Sequence, residues 1–327
     1  LSEREAGLLP SGTLDLFYSL DDAYVCNKPL SEKWQGKAHY FPRSKLLYTI
    51  DCFSRRIPGA EAHVIKIESL PSNERFQLEN FTAKHSFSYF AHPPSVSVLL
   101  QKTQGHIKFT TEEEQNGKKK MAEMGVPSDA EIVCIHARSP AYLNRIFPDM
   151  KWAHHDHRDW AIETCLPAAA SLAEEGISVL RFGLTDEKLP ETWLGNRVID
   201  YGAIYHSPLM DLYVASRARF FVIAQSGAYI FPLLFRKPLL VLNIVEFGYL
   251  TPAYSGHDLF LPKKFFSKVE LRYWSFAEIL RFGSENVTPE GLEKAGIELH
   301  DNTVDEIKEA VAEIHARVGG SWTDEKK

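Results

Sequence analysis

The sequence predicts an α/β protein built on a parallel sheet. Two observations carry that expectation. From residue 130 onward, short apolar runs at 131–136, 177–182, 197–200, 220–224 and 238–244 read as strands, and 131–136 is of the fully buried type. Helical patterns at 159–175, 208–216 and 227–235 fall between them, at the spacing of parallel strands joined by crossover helices. The 327 residues are long enough for two domains, and the expected division is 1–125 and 126–327.

The first part is mixed. Residues 14–20 alternate apolar and polar and predict a strand, and 62–67 predict another. Pro29, Gly36, Pro42, Pro58 and Gly59 punctuate loops between them. Residues 45–53 suit a helix or a strand equally. Residues 96–100 form a short β-branched run after Pro93-Pro94. Thr110 followed by Glu112, Glu113 and Glu114 signals a helix start, and the helix is expected to run past Lys118–Lys120 to Met124 and stop at Gly125.

In the second part, 159–175 carries Ile162, Leu166, Ala169 and Leu172 on one face, with Gly176 as its stop. Pro167 should either kink that helix or start its regular part. Residues 139–151 hold Pro140, Tyr142 and Pro148 with little apolar periodicity and predict a loop over the sheet edge. At the tail, Thr303 and Glu306 have capping-box spacing, and Val304, Ile307, Val311, Ile314 and Val318 form one apolar face. That face needs a partner in its own domain or in the first one.

Composition excludes several classes. The net charge of −6 argues against a basic body that wraps nucleic acid. Cys26, Cys52, Cys134 and Cys165 form no CxxC pair, so neither a zinc ribbon nor a disulfide scaffold is indicated, and a reducing compartment is expected. No apolar run approaches the roughly 20 residues needed to cross a bilayer. The opening Leu1-Ser2-Glu3-Arg4-Glu5 does not read as a signal peptide. There is no P-loop and no GxGxxG fingerprint, which removes the main support for P-loop NTPases and ordinary NAD enzymes. There is no GxSxG elbow either.

In an open parallel sheet, ligands bind outside the carboxyl ends of the strands. Those ends carry His136 and Arg138, Arg181 and Gly183, Asp200, and Ser226-Gly227. Two arginines facing one crevice suit an anionic ligand, because a guanidinium offers a rigid fork of donors. The Ser226-Gly227 turn suits a phosphate, or is a plain capped βα turn. Asp211, in the short helix before it, either serves the site or caps its own turn. The cluster His154-His155-Asp156-His157-Arg158 invites a metal, but adjacent residues do not converge on one ion. A proton acceptor is the better expectation there, with Asp156 and His155 the candidates.

Several short stretches, in order, resemble a family of bacterial glycosyltransferases of surface-polysaccharide loci. They include Ile107-Lys108-Phe109-Thr110, Val133-Cys134-Ile135-His136-Ala137-Arg138, Ala141-Tyr142-Leu143, Leu166-Pro167-Ala168, Val179-Leu180-Arg181-Phe182-Gly183 and Asp200-Tyr201. Asp211-Leu212-Tyr213, Phe220-Phe221, Ser226-Gly227, Lys237-Pro238, Leu261-Pro262-Lys263-Lys264 and Ser275-Phe276-Ala277-Glu278 continue the likeness. It spans about residues 105–322. His136-x-Arg138 also resembles the donor segment of fucosyltransferases, where the Arg binds the sugar-nucleotide diphosphate. An Asp often follows that Arg in the family; here Ser139-Pro140 stand in its place.

The resemblance implies a GT-B fold, with two Rossmann-like domains facing a cleft and the donor mainly on the second. It implies a metal-independent transferase that moves a sugar from a nucleotide-sugar, with a GDP-sugar favoured, to a glycan or lipid-linked glycan acceptor in bacterial surface polysaccharide biosynthesis. No cofactor is expected beyond the donor substrate. The donor contacts would be His136, Arg138, Arg181, Gly183, Asp200, Asp211, Ser226 and Gly227, and the catalytic groups Arg138 with Asp156 or His155. A cytoplasmic location follows, with peripheral attachment at the inner membrane as a further expectation. A sugar-nucleotide epimerase or hydrolase, and a non-catalytic nucleotide-sugar or glycan-binding subunit, are the alternatives.

Overall fold

The computed structural model describes residues 5–7, 16–18, 27–34, 39–41, 43–54, 56–58, 94–146, 148–149, 152–195, 197–247 and 255–323. The chain divides into two compact units, residues 1–89 and 90–327.

In the first unit, β1 (Leu16–Tyr18) pairs in parallel with β2 (His39–Phe41), Leu16 opposite His39. Helix α1 (Lys28–Trp34) starts at Asn27, whose Oδ1 accepts the Leu30 N–H at 2.9 Å. Pro29, expected to break the chain, instead occupies the first helical turn, where its missing N–H has no partner to lose. Residues 45–53 are helical: α2 spans Lys45–Ser54, and Asp51 on it accepts from the Tyr18 hydroxyl at 2.6 Å. The strand expected at 62–67 lies outside the described residues, as do Gly36, Pro42 and Gly59.

The second unit begins with α3 (Pro94–Lys102), so the β-branched run at 96–100 is helical, with Pro94 pre-setting the first turn. Helix α4 (Thr111–Glu123) carries the expected capping box between Thr110 and Glu113. Its Gly117 sits where a Cβ would lie 2.5 Å from the Tyr213 ring, so α4 packs directly on this unit rather than closing the one before it. The segment 90–125 thus folds with the sheet that follows, and the compact division falls after Tyr89.

The main sheet has β3 (Ile132–His136), β4 (Ser178–Arg181), β5 (Val198–Ile199), β6 (Phe220–Ala224), β7 (Leu239–Ile244) and β8 (Leu259–Pro262). Its order is β5-β4-β3-β6-β7-β8, all parallel. This is the doubly wound order in which the chain starts at the centre, runs to one edge, then returns to build the other half. The reversal lies between β3 and β6.

Side-chain alternation divides the core between the two faces. Val133, Ile135, Val179, Val222 and Leu240 face one side, and Ile132, Cys134, Leu180, Phe221, Ile223 and Val241 the other. The first face is covered by the 3₁₀ turn Ile162–Cys165, by α6 (Leu166–Glu174, after α5, Ala141–Ile146) and by the last helix. Pro167 starts the regular part of α6, since its φ suits the first turn. The opposite face is covered by α4, α7 (Tyr201–Ile204) and α8 (Pro208–Arg217), and α9 (Ile230–Phe235) packs beside α8.

Beyond β8 the chain forms a small antiparallel sheet of β9 (Lys264–Ser267), β10 (Arg272–Tyr273) and β11 (Ile297–His300), with α10 (Phe276–Phe282) and α11 (Pro289–Ala295) against it. The final helix α12 (Val304–Gly319) starts on the Thr303–Glu306 capping box and buries Ile307, Val311 and Ile314 on the main sheet of its own unit. Ile314 is fully buried among these groups. Ile314→Ala should therefore cost about 2–4 kcal/mol, as measured by urea denaturation; a loss below 0.5 kcal/mol would show that α12 is not part of the cooperative core.

Candidate functional site

The carboxyl ends of β3 and β6, where the strand order reverses, meet through one imidazole. His136, the last residue of β3, has Nδ1 at 3.0 Å from the Phe182 carbonyl and Nε2 at 3.0 Å from the Ser226 hydroxyl. A carbonyl only accepts, so Nδ1 carries the proton and donates it. In the neutral ring Nε2 is then an acceptor, and Ser226 donates to it. Burial pushes the His136 pKa down to about 4, with Arg181 and Arg138 adding to the depression against the opposing effect of the Phe182 carbonyl.

Close backbone approach makes this bridge possible. Gly183 has φ +96°, and a Cβ there would lie 2.6 Å from His136 Nδ1. A Cβ on Gly202 would lie 2.1 Å from the Gly183 carbonyl oxygen. Gly183, expected to serve a ligand, thus makes room for the imidazole. Gly227 differs, for it is exposed and a Cβ there would meet nothing within 4 Å. The 3₁₀ turn Gly227–Tyr229 and α9 after it are short, so their macrodipole is small.

Arg138 is buried. Its Nη1 donates to the His155 carbonyl at 3.1 Å and to the Asp159 carboxylate. Burial pushes the Asp159 carboxyl up despite that guanidinium, and it pushes Arg138 down. Lys263, at the end of β8, donates to the Asp159 carbonyl at 2.8 Å and pairs with Asp301 at 2.7 Å. Residues expected to form a loop over the edge are partly regular, as α5 and as a 3₁₀ turn, Ala153–Arg158. Asp156 is exposed on that turn, and His155 stacks on Trp152 at 6.0 Å.

Three other expected contacts turn into the protein. Arg181 donates to the Glu187 carbonyl, to Thr185 at 3.4 Å and to Asp200 at 3.4 Å. Asp200 also accepts the Leu189 N–H at 2.7 Å, so the pair closes the loop that leaves β4. Asp211 accepts from the Tyr201 hydroxyl at 2.7 Å and lies 3.0 Å from His206 Nε2. These buried groups satisfy one another, and each has a structural role in that position.

One constellation at this edge was not foreseen. His157 Nε2 lies 3.0 Å from Glu246 beyond β7, and Arg158 lies 3.6 Å from the same carboxylate. Gln225 holds the Glu246 backbone, donating to its carbonyl at 2.6 Å and accepting its N–H at 3.2 Å. His157 Nδ1 is buried without a partner. Glu246 takes the Nε2 proton of this imidazole, and the Nδ1 lone pair is enclosed by protein. A sequence separation of 89 between His157 and Glu246 hid the pair from any local pattern.

Among the described residues, no group of three or more His, Cys, Asp or Glu side chains is placed to hold a metal ion. Nor is any helix among them long and apolar enough to cross a membrane. Cys165 is buried, with its thiol pushed up to about 12, so it is no nucleophile at neutral pH.

No protein-family model matches the chain, and no curated protein matches it. Among solved structures it is similar to a glycosyl transferase family 9 protein from Veillonella parvula DSM 2008, at 12% identity and a TM-score of 0.37. The match covers 58% of this chain and 51% of that one, so the chain spans about half the length of that structure. A likeness of this extent carries no functional argument.

The depressed His136 value has a thermodynamic consequence. The unfolded chain takes up a proton near pH 6.5, and the folded one only near 4. The contribution is present above 6.5 and lost as pH falls through that window, amounting to about 3 kcal/mol in full. Stability measured by denaturant melts from pH 7 to 4 should fall, and His136→Gln should flatten the decline. A slope unchanged by that substitution would assign it to other groups.

Proposed function

We propose that this protein is a glycosyltransferase that binds a nucleotide-activated sugar at the carboxyl edge of the main sheet. The observation that carries the reading is the coincidence of two things. The motif residues that resemble a glycosyltransferase family, His136, Arg138 and Ser226-Gly227, lie at the strand-order reversal, where open α/β sheets place their ligands. The fold alone would not select this reaction.

Transfer requires charge stabilisation on the departing diphosphate and an acceptor for the proton of the attacking hydroxyl. For the first we propose Arg138, whose Nη1 is held by Asp159 and the His155 carbonyl. For the second we propose the 155–156 segment of the 3₁₀ turn, with Asp156, which is exposed there, and His155 as the candidates. A GT-B arrangement, metal independence, a GDP-sugar donor and a glycan or lipid-linked acceptor belong to the same proposal. So do a cytoplasmic setting with attachment at the inner membrane and a role in bacterial surface polysaccharide synthesis. Arg181, Asp200 and Asp211 act in it by holding the loops around the site.

Arg138→Ala is a poor probe, because it removes a buried guanidinium and leaves the half-buried Asp159 carboxylate without its partner. Gly227→Val is cleaner, since open space surrounds that position. Thermal shift against GDP, UDP, dTDP and CMP, with Mn²⁺ or EDTA, should give a selective stabilisation that EDTA does not remove. Gly227→Val should keep the unliganded melting temperature and weaken that ligand about tenfold or more, roughly 1.4 kcal/mol. No shift with any nucleotide would overturn the reading. Given turnover with an acceptor, Asp156→Asn should lower kcat at unchanged donor affinity; an unchanged kcat would remove Asp156 as the base and leave His155.

A further inference from the structure

Ser226 looks like a phosphate donor, a small hydroxyl at a βα turn beside a glycine. The hydrogen bonds around it say otherwise. A serine hydroxyl has one proton and two lone pairs. The Phe182 carbonyl takes the Nδ1 proton of His136, so Nε2 is left as a lone pair aimed at Ser226 Oγ from 3.0 Å. The one Ser226 proton goes there. The Ala228 N–H, at 3.3 Å, occupies one lone pair of Oγ. What remains toward a ligand is a single acceptor.

Resting on the transferase reading, we infer that Ser226 is a specificity residue that recognises a hydroxyl of the nucleotide-sugar and turns away its phosphate oxygens. A phosphate oxygen at neutral pH has no proton to give, and against Ser226 it would set acceptor against acceptor. A sugar or ribose hydroxyl donates and completes the valence of Oγ. The residue that sets this polarity is His136, a positioning residue acting through Ser226. The low proton affinity of the buried imidazole keeps it neutral at pH 7 and so maintains the arrangement. Gly227, with open space around it, leaves room for a ring to approach the hydroxyl. Diphosphate recognition then falls to other groups, Arg138 foremost.

Two measurements test this. Imidazole ¹⁵N NMR of the unliganded protein at pH 7 should report His136 as the neutral form protonated at Nδ1. The Nε2-protonated form, or the cation, would overturn the inference with no ligand present. Calorimetric titration then compares inorganic pyrophosphate, GDP, UDP, GDP-mannose and UDP-glucose on wild type, Ser226→Ala and Ser226→Thr. Ser226→Ala should leave pyrophosphate within about twofold and weaken a hydroxyl-bearing ligand about fivefold, the effect of one neutral hydrogen bond. Ser226→Thr should restore most of it. Weakening of the bare nucleoside diphosphate assigns the ribose hydroxyl, and weakening of the nucleotide-sugar alone assigns the transferred sugar; both support the inference. Equal loss for pyrophosphate and the sugar-bearing ligands overturns it while the transferase reading stands. Failure of every nucleotide to bind wild type overturns both.

Discussion

One neutral imidazole ties three strands together at the point where the sheet reverses direction. His136 belongs to β3, its proton goes to the carbonyl just after β4, and its lone pair holds Ser226, the second residue after β6. Strands β4 and β6 flank β3 on either side. Two glycines accommodate this, since Gly183 cannot carry a Cβ against the ring and Gly202 cannot carry one against Gly183. A backbone packed this closely fixes the positions of Ser226 and Gly227 far more tightly than a free βα turn would.

Charges around this edge fall into two kinds. Arg181 with Asp200 and Asp211 with His206 are paired within the protein and close loops or helix starts. Removing one partner of such a pair leaves an uncompensated buried charge, which is costly. Arg138 is likewise paired with Asp159, and His157 with Glu246. Arg138 is anchored through Nη1 at the end of β3, and His157 keeps a bare Nδ1 while Glu246 fixes its ring. Both sit on or against the same 3₁₀ turn. At this edge the paired groups set the shape, while Asp156 and Gly227 are exposed.

The alternating elements from residue 130 onward were legible because each strand is a short apolar run and the helices fall between them; the capping boxes at Thr110 and Thr303 form as their spacing implies. Pro167 was legible as a helix start because its ring fixes φ. Pro29 misled, and residues 96–100 gave no assignment. A proline reads as a breaker until one knows that it occupies the first turn, and β-branched residues reveal no period over five positions. The small antiparallel sheet escaped notice because its strands are two to four residues long, and β9 pairs with β11 across 30 or so residues of sequence. At the site, strand-end positions were readable but partners were not. Arg181 and Arg138 look alike in sequence, and only packing tells that one closes the β4 loop while the other meets Asp159. Glu246 carried no local signal at all.

The tail of the chain bears on the site through Lys263. Its ammonium joins the Asp159 carbonyl, beside the Arg138 pair, to Asp301, two residues before the Thr303 cap of α12. Next to it, Asn243 and Asn302 exchange hydrogen bonds, each backbone N–H donating to the other's side-chain oxygen at 3.0 and 2.7 Å. Asn243 has φ +54° and lies at the register shift between β7 and β8, a conformation Asn tolerates better than most residues. The bulge in the sheet, the start of the last helix and the turn that holds Arg138 thus share one joint. The apolar face of α12, with Ile307 buried one turn after the Thr303 cap, anchors the start of that helix on the main sheet beside the joint. In this fold the position of a charged group at the site depends on apolar packing of the last helix as much as on the residues that touch it.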